Sequence, residues 1–252
     1  MRLIVKNAAN QTLELTNSSN YALTDATGLA PAVSAVNMTK IATMDGSVLN
    51  SMSIESRNIV LTVYPLAPVE YNRIQLYKWF TPKSKIQLRY INGQRDMVID
   101  GYAESFEGTF FEQAEVFSIS ILCPSPYFED YTPKTITGMS TGNPIALTND
   151  GDTECGMTLQ LTMWGDPSNV AITIGNETFA LDHTFANGDV LTICTVRGHK
   201  SVMLNGANAI NLVTDDSEWV QIPVGGGTLS ITHSQSGNAD VSGSYAELYA
   251  GG

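Results

Sequence analysis

The chain has 252 residues, a hydrophobic fraction of 43% and a formal net charge of −12 at pH 7. This length permits one large domain or two smaller ones, and the hydrophobic fraction is sufficient for a core. We expect neither stable nucleic-acid binding nor membrane insertion, because an acidic surface repels phosphate and no apolar run approaches the roughly 18 residues of a transmembrane helix.

The N-terminal residues and the cysteines bear on the cellular compartment. Only three consecutive apolar residues separate Arg2 from Lys6, which is too few for the core of a signal peptide. We therefore expect the protein to stay in the cytosol in which it is made. Cys123, Cys155 and Cys194 form no CxxC pair and are expected to be reduced thiols.

The first half of the chain is predicted to be mixed in secondary structure. Residues 2–6 and 12–16 are short strand candidates, and the dense apolar run NIVLTVY at 58–64 is typical of a buried strand. Residues 17–57 are rich in Ser, Asn, Thr and Ala and show little periodicity. They predict irregular backbone or a long loop in part of this segment.

A helix is predicted after the strand at 58–64. Pro68 suits the first turn, where a missing N–H costs least, and Thr81-Pro82 ends the pattern. The apolar residues expected on one buried stripe are Val69, Leu76, Tyr77 and Phe80.

A β-hairpin is predicted next. Ile86, Leu88 and Tyr90 alternate with Lys85, Gln87 and Arg89, so that the apolar set and the polar set occupy opposite faces. Asn92-Gly93 is a strong signal for a two-residue turn. The strand that returns begins near Arg95, and a further strand is predicted at 116–122.

The second half is predicted to be all-β. Period-two alternation at 157–164 and 169–176 indicates strands with one buried face, and further short strands separated by turn residues favour a sandwich. Prolines and a Gly, Ser and Thr cluster precede this region. The predicted division is residues 1–132, a linker at 133–143, and residues 144–252.

The histidines form no metal or catalytic motif, because His183, His199 and His233 lie outside any HExxH pattern. We therefore expect neither an enzyme, nor a cofactor, nor a metal site.

One acidic stretch leaves two alternatives open. Residues 149–154 crowd the carboxylates of Asp150, Asp152 and Glu154, but their order departs from an EF-hand and is typical of a turn between strands. The alternatives are a calcium site, and a glycan hydrolase that uses Asp152 or Glu154.

A carbohydrate-binding reading also stays open. Trp164 and Trp219 in the β-rich half are candidate carbohydrate contacts, since aromatic rings on a sandwich can stack on sugars. Packing of these rings in or beside the core is the commoner role of such residues.

The basic residues are concentrated in one segment. Six of the thirteen Lys and Arg residues lie between positions 73 and 95, and acidic residues follow, Glu112 among them. Adjacent segments of opposite charge favour contact between copies of the chain. A nucleic-acid patch is the alternative, but several of its aromatic residues are predicted to be buried. The candidate subunit interface comprises Arg73, Lys78, Lys85, Arg89, Arg95, Glu104 and Glu107.

The same segment carries a family resemblance. The succession RNIVLTVYPL, LYKWFTPK, IQLRYINGQRDMVIDGYAE and FSISILCPSPYF resembles the distal tail proteins of long-tailed phages, especially those that infect Gram-positive hosts. FANGDVLTICTVRGHKSVMLNG and NLVTDDSEWVQIPVGGGTLSI resemble the galectin-like carboxy-terminal domain of that family.

The resemblance implies a fold and a structural role. The implied fold is mainly β: an N-terminal β-sandwich-type domain with one α-helix and a β-hairpin, followed by a galectin-like β-sandwich. It implies a homo-hexameric ring at the distal end of the virion tail, assembled in the host cytoplasm. The implied partners are the tail tube protein, a tail-tip hub or tail-associated lysin protein, and a receptor-binding protein. A lectin-like adhesion module is the alternative function.

Overall fold

A computed structural model describes residues 1–110, 115–140, 144–234 and 237–252. The chain divides into two units: residues 1–131 with 249–252, and residues 132–248. Both are mainly β, as predicted. Glu112 and the predicted linker residues 141–143 lie outside the described residues. In the described part of the chain, no helix is long and apolar enough to span a membrane.

The N-terminal unit is built on an antiparallel sheet with one helix, α1 (Val69–Trp79). Its strands are β1 (Arg2–Asn7), β2 (Thr12–Glu14), β3 (Tyr21–Thr27), β4 (Ser34–Thr39), β5 (Val48–Ile54), β6 (Arg57–Pro65), β7 (Lys85–Ile91), β8 (Asp96–Gly108), β9 (Phe117–Cys123) and β10 (Phe128–Asp130). The order in the main sheet is β2-β1-β7-β8-β9-β6-β3, with β10 paired to β8, while β4 and β5 form a separate sheet of two strands within the described residues.

Residues 28–33 and 40–47 lie outside any strand, as predicted for part of 17–57, but the strands β3, β4 and β5 in the same segment were not predicted. β3 is an edge strand that pairs with β6, and only Tyr21 of its seven residues is fully buried. β4 and β5 bury none of their side chains. Their Ser, Asn and Thr residues, and the β-bulge that interrupts the alternation in the pair of β4 and β5, are why composition alone missed them.

The stripe predicted for α1 was partly wrong. Its buried line runs through Asn72, Leu76 and Phe80 at four-residue spacing, while Val69 and Tyr77 are exposed. The buried amide of Asn72 donates to the carbonyl of Leu66 at 2.9 Å, and its backbone carbonyl accepts from the Tyr21 hydroxyl at 3.3 Å. A polar side chain satisfied in this way occupies a core position that hydrophobic periodicity does not detect.

The hairpin of β7 and β8 has the predicted faces but not the predicted turn. Ile86, Leu88 and Tyr90 are buried. Ile91 pairs with Asp96, so the loop between them has four residues instead of two. The side-chain oxygen of Asn92 accepts the N–H groups of residues 94 and 95 at 2.9 and 2.7 Å. This Asx arrangement supplies hydrogen-bond acceptors within the loop itself for two of its backbone N–H groups.

The C-terminal unit is a β-sandwich, as predicted. Its strands are β11 (Lys134–Met139), β12 (Ile145–Leu147), β13 (Met157–Gly165), β14 (Ser168–Ile174), β15 (Glu177–Ala180), β16 (Val190–Cys194), β17 (Ser201–Leu204), β18 (Ala207–Asn208), β19 (Gly227–Ser234) and β20 (Gly237–Tyr245); a 3₁₀ turn spans Ile210–Leu212, and β21 (Leu248–Tyr249) lies near the C-terminus. In the described chain, one sheet runs β11-β20-β13-β16-β17-β18 and the other β12-β19-β14-β15. Buried residues of both sheets, such as Leu159 and Ile172, share one core.

The segment predicted as a linker contains a strand. β11 pairs with β20 from Lys134 opposite Tyr245 to Met139 opposite Asp240, and Ile136 enters the core. The prolines at 124–133 therefore mark turns before the sandwich, and residues 134–139 belong to the sandwich itself.

Lys134 also anchors a buried carboxylate. Its ammonium group contacts the carboxylate of Glu247, which is 3% exposed and accepts the Asp150 N–H at 2.7 Å. Burial by itself would lower the pKa of Lys134, but the hydrogen bond and charge of Glu247 outweigh burial and raise it. β11 thus supplies the cation that makes the burial of Glu247 tolerable.

We predict that the boundary of the C-terminal unit lies before β11. A fragment of residues 132–248 should unfold cooperatively, and a fragment of residues 144–248 should be less stable by about 3 kcal/mol, because Glu247 then lacks its cation. Circular dichroism during thermal unfolding measures both. Lys134→Met in the longer fragment is the matched control and should reproduce much of the loss. Equal stability of the two fragments would contradict this boundary.

In the N-terminal unit the most connected polar side chain is Arg57, which is 3% exposed. Its guanidinium donates to the carbonyl oxygens of Gly28 and Ala30 at 2.6 Å and of Pro126 at 2.9 Å, and also to that of Ala250. It lies 4.7 Å from the centroid of the Phe128 ring. Burial lowers the pKa of this guanidinium from its ordinary value. One side chain therefore joins β6 to three separate segments.

Replacing Arg57 should cost far more than replacing an exposed arginine. Arg57→Ala leaves buried carbonyls without donors, so we expect a loss of about 3 kcal/mol or more in the free energy of unfolding. Arg2→Ala, at an exposed pair with Glu14, is the matched control and should change the free energy of unfolding far less. Urea denaturation of both variants measures the difference. Similar midpoints for the two would show that Arg57 is not a structural anchor.

Candidate subunit interface

The structure brings three of the predicted interface residues onto one face of the main sheet. Lys85 and Arg89 of β7 point away from the buried face of that strand. Lys85 pairs with Tyr102 of β8, and Glu104 lies two residues further along the same strand. The Glu104 carboxylate accepts a hydrogen bond from the Ser120 hydroxyl at 2.8 Å. The result is a polar outer face that carries both signs of charge.

The cations on this face have acidic partners in their own chain. Lys85 lies 2.9 Å from Asp100, and the Nε atom of Arg89 donates to Asp96 at 2.7 Å. The hydrogen bond with each acid raises the pKa of each base. Arg89 also lies over the ring of Tyr131 at 3.4 Å from its centroid. The single chain already balances these charges, because each acid lies diagonally across the β7–β8 ladder from its base.

The other predicted cations are distributed over two further places. Arg73 pairs with Glu70 on α1 and with Glu115 at 3.4 Å, and lies over Phe110. Lys78 donates to Gln75 at 3.3 Å and is exposed.

Arg95 contacts the C-terminal tail. Its guanidinium donates to the carbonyl of Gly251 at 3.0 Å and lies 4.5 Å from the centroid of the Tyr249 ring. Glu107, near the end of β8, is exposed. The basic residues of 73–95 are thus dispersed over the unit instead of forming one patch.

Sequence reasoning missed the most distinctive surface, which is on the hairpin of β4 and β5. Register places Val36 opposite Met52, Met38 opposite Leu49, and Ser34 opposite Ile54. A β-bulge after Asn37 places Leu49 on the same face as Val36 and Met38, and the opposite face carries Ala, Asn, Ser and Thr residues together with Val48. We call Val36, Met38, Leu49, Met52 and Ile54 the hairpin face; all five are exposed, Met52 to 64%.

A second exposed apolar surface lies on α1. Tyr71, Ile74 and Tyr77, which we call the helix face, point away from the buried line of the helix, and Tyr71 is 60% exposed. Tyr77 makes an edge-to-face contact with Phe106 at 5.0 Å between ring centroids, while Tyr71 and Ile74 extend outward. The N-terminal unit therefore presents two different apolar surfaces.

The two tryptophans proposed as carbohydrate contacts differ in environment. Trp219 packs on Phe179 at 4.9 Å between ring centroids, with Lys200 over its ring, and is attached to the sandwich core. Trp164 on β13 is 52% exposed, and its indole N–H donates to Asp240 at 2.9 Å. Only Trp164 keeps an accessible ring of the two.

The acidic stretch forms a turn held by Asn149. This buried amide donates to the carbonyls of Thr153 and Ile222 at 3.0 Å. Glu154 pairs with Arg197 at 2.6 Å. Among the described residues, no group of three or more His, Cys, Asp or Glu side chains is arranged to bind a metal ion.

The three cysteines are unpaired, as predicted. Burial raises the pKa of Cys123 to about 11 and that of Cys155 to about 12. Neither thiol is therefore ionised near neutral pH, and both serve as apolar packing groups.

The chain is similar to known phage tail proteins in part of its sequence and in its fold. Residues 150–249 match the family model of the siphovirus-type tail component, C-terminal domain (SPP1_Dit). The crystal structure of phage SPP1 Dit, described as a paradigm of the hub adsorption apparatus in phages infecting Gram-positive bacteria, superposes with a TM-score of 0.73 at 12% identity, over 98% of each chain. A chain of the phage P2 baseplate in its activated conformation with Ca gives 0.52 at 10% identity, covering 95% of this chain and 97% of the other. No curated protein matches the sequence.

These findings confirm the resemblance to phage distal tail proteins. At such low identity the structural matches show the fold, and the family model covers the C-terminal unit. The family model relates the C-terminal unit to siphovirus-type tail components, and the structural matches relate the fold of the chain to that of tail-hub and baseplate proteins.

We predict that the pair of Arg89 and Asp96 contributes measurably to stability. Arg89→Glu sets two carboxylates side by side and removes the contact with Tyr131, so we expect a loss of about 1–2 kcal/mol. The exchange Arg89→Glu with Asp96→Arg should recover most of it. Lys85→Glu, at a more exposed pair, is the control and should cost about 1 kcal/mol or less. Chemical denaturation measures all three, and an Arg89→Glu variant as stable as the parent protein would contradict the prediction.

Proposed function

We propose that this protein is a distal tail protein. Six copies form a ring through their N-terminal units, and the ring joins the tail tube to the tail-tip hub or a tail-associated lysin protein. The C-terminal sandwiches offer a platform for receptor-binding proteins. The observation that carries the proposal is the match to SPP1 Dit, which spans 98% of both chains and therefore both units in the same order.

The surface of the N-terminal unit supports assembly. A cyclic ring is heterologous, so each copy needs two different faces that complement each other. The hairpin face and the helix face are two different apolar surfaces on one chain. A surface of this kind is uncommon on a protein that stays monomeric.

The charges support a secondary role for the predicted interface residues. Lys85, Arg89 and Glu104 lie on a polar face with balanced charge, which suits the rim of an interface better than its centre. Such residues fix the register between copies and influence the rate of association. The net charge of −12 also suits a ring through which DNA passes without binding.

A lectin-like adhesion module is the second candidate, favoured by one observation. The exposed ring of Trp164, with its N–H fixed by Asp240, is the kind of surface on which a sugar ring can stack. Titration of the protein with host cell-wall polysaccharide, using Trp164→Ala as the control, tests this function. Binding that Trp164→Ala abolishes would support it, and absence of binding would exclude it.

The proposed function predicts assembly into rings. Purified protein should show a species of six times the 27.2 kDa chain mass, increasing with concentration or on addition of the tube and hub proteins. Mass photometry measures the distribution, and negative-stain electron microscopy should show six-fold rings with a central hole. A protein that stays monomeric at every concentration and binds neither partner would overturn the proposal.

A further inference from the structure

The hairpin of β4 and β5 has the pattern of a strand pair with one buried face, yet no described residue of the same chain buries that face. Most of the large apolar residues occupy one side, and the other side carries mainly small or polar residues, with Val48 at its end. The β-bulge places Leu49 on the apolar side and Val48 on the other, where a regular ladder would exchange them. A face kept apolar over both strands and left exposed is the mark of a binding surface.

We propose that the hairpin face of one copy packs on the helix face of the next copy in the ring. This inference rests on the proposed ring and names the contact that closes it. The two faces are both exposed in the single chain, so they do not cover each other within one copy. Each is apolar, and they lie on different elements of the same unit, which is what a heterologous contact requires.

The charges at the ends of the two faces indicate a second copy as the occupant. Lys40 follows β4 and Glu55 follows β5, so they stand at opposite ends of the hairpin, and both are exposed. Glu70, which also pairs with Arg73 in its own chain, and Lys78 stand at opposite ends of the exposed side of α1. If the base of the hairpin lies at the C-terminal end of the neighbouring helix and its tip at the N-terminal end, Glu55 of one copy contacts Lys78 of the next. Lys40 then contacts Glu70. Opposite charges at both ends then fix the direction of docking.

Arg57 prepares the hairpin for this contact. It is the first residue of β6, the strand after β5, and its guanidinium binds the carbonyls of Gly28 and Ala30, which precede β4. The N–H of Glu55 also donates to the carbonyl of Val33 at 3.0 Å, across the base of the hairpin. The segments before β4 and after β5 are therefore both fixed to β6, so little conformational entropy is lost when the hairpin docks.

Cysteine cross-linking in the assembled full-length protein tests the contact. M52C and I74C introduce one thiol on each face, at exposed positions where substitution leaves the fold intact. A bismaleimide with a short flexible spacer is the probe. The parent protein is the control for the native thiols, of which Cys123 and Cys155 are buried.

The expected pattern is specific to a heterologous contact. The protein with both changes should give a ladder of covalent oligomers up to the hexamer. A mixture of the two single variants should give dimers, and each single variant alone should give none. Glu55→Lys or Lys78→Glu should each weaken assembly about tenfold, and the two together should restore it.

Other patterns overturn the inference. M52C that cross-links to itself would indicate hairpin-to-hairpin contact, and M52C that cross-links to added tube protein instead of to I74C would indicate that the tube is the occupant. Rings seen by electron microscopy without the M52C–I74C product would overturn the inference and leave the proposed function standing. A monomer under all conditions would overturn the proposed function, and the inference with it.

Discussion

In the N-terminal unit, four described backbone carbonyls converge on the guanidinium of Arg57, and much of that unit depends on this convergence. A buried arginine without a carboxylate partner is uncommon, because its charge is expensive to desolvate. Here the carbonyl dipoles and the face of Phe128 replace water. The arrangement is possible only when the segment before β4, the turn at Pro126 and the tail at Ala250 are all in place. The side chain therefore makes their positions interdependent.

The same constraint links the fold to assembly. The hairpin of β4 and β5 has no core of its own, and an isolated pair of strands is marginally stable in water. Arg57 fixes the two chain segments at the base of the hairpin, whereas the apolar face of the hairpin is exposed in the single chain. In the proposed ring that partner is the helix of the next copy. Stability of the unit and closure of the ring would then depend on one anchored element.

The sequence permitted good predictions wherever one face of an element is buried in its own unit. The alternation in β7, β13 and β14 located these strands, because Leu88, Leu159 and Ile172 enter a core. It failed at β4 and β5, where the partner surface is absent from the single chain, and at Asn72, whose burial depends on acceptors that only the fold supplies. The alternation in β7 placed Lys85 and Arg89 on its polar face, but their partners Asp96 and Asp100 depend on the cross-strand register.

Hydrogen exchange across the assembly transition tests the account most directly. Amide exchange of the full-length protein should be compared at concentrations where it is monomeric and where rings predominate. We predict that protection increases on assembly in residues 34–54 and in 70–78, while the buried strands β6 and β9 stay equally protected in both states. Unchanged exchange in both segments, in samples that contain rings, would contradict the claim that the hairpin and the helix form the contact between copies.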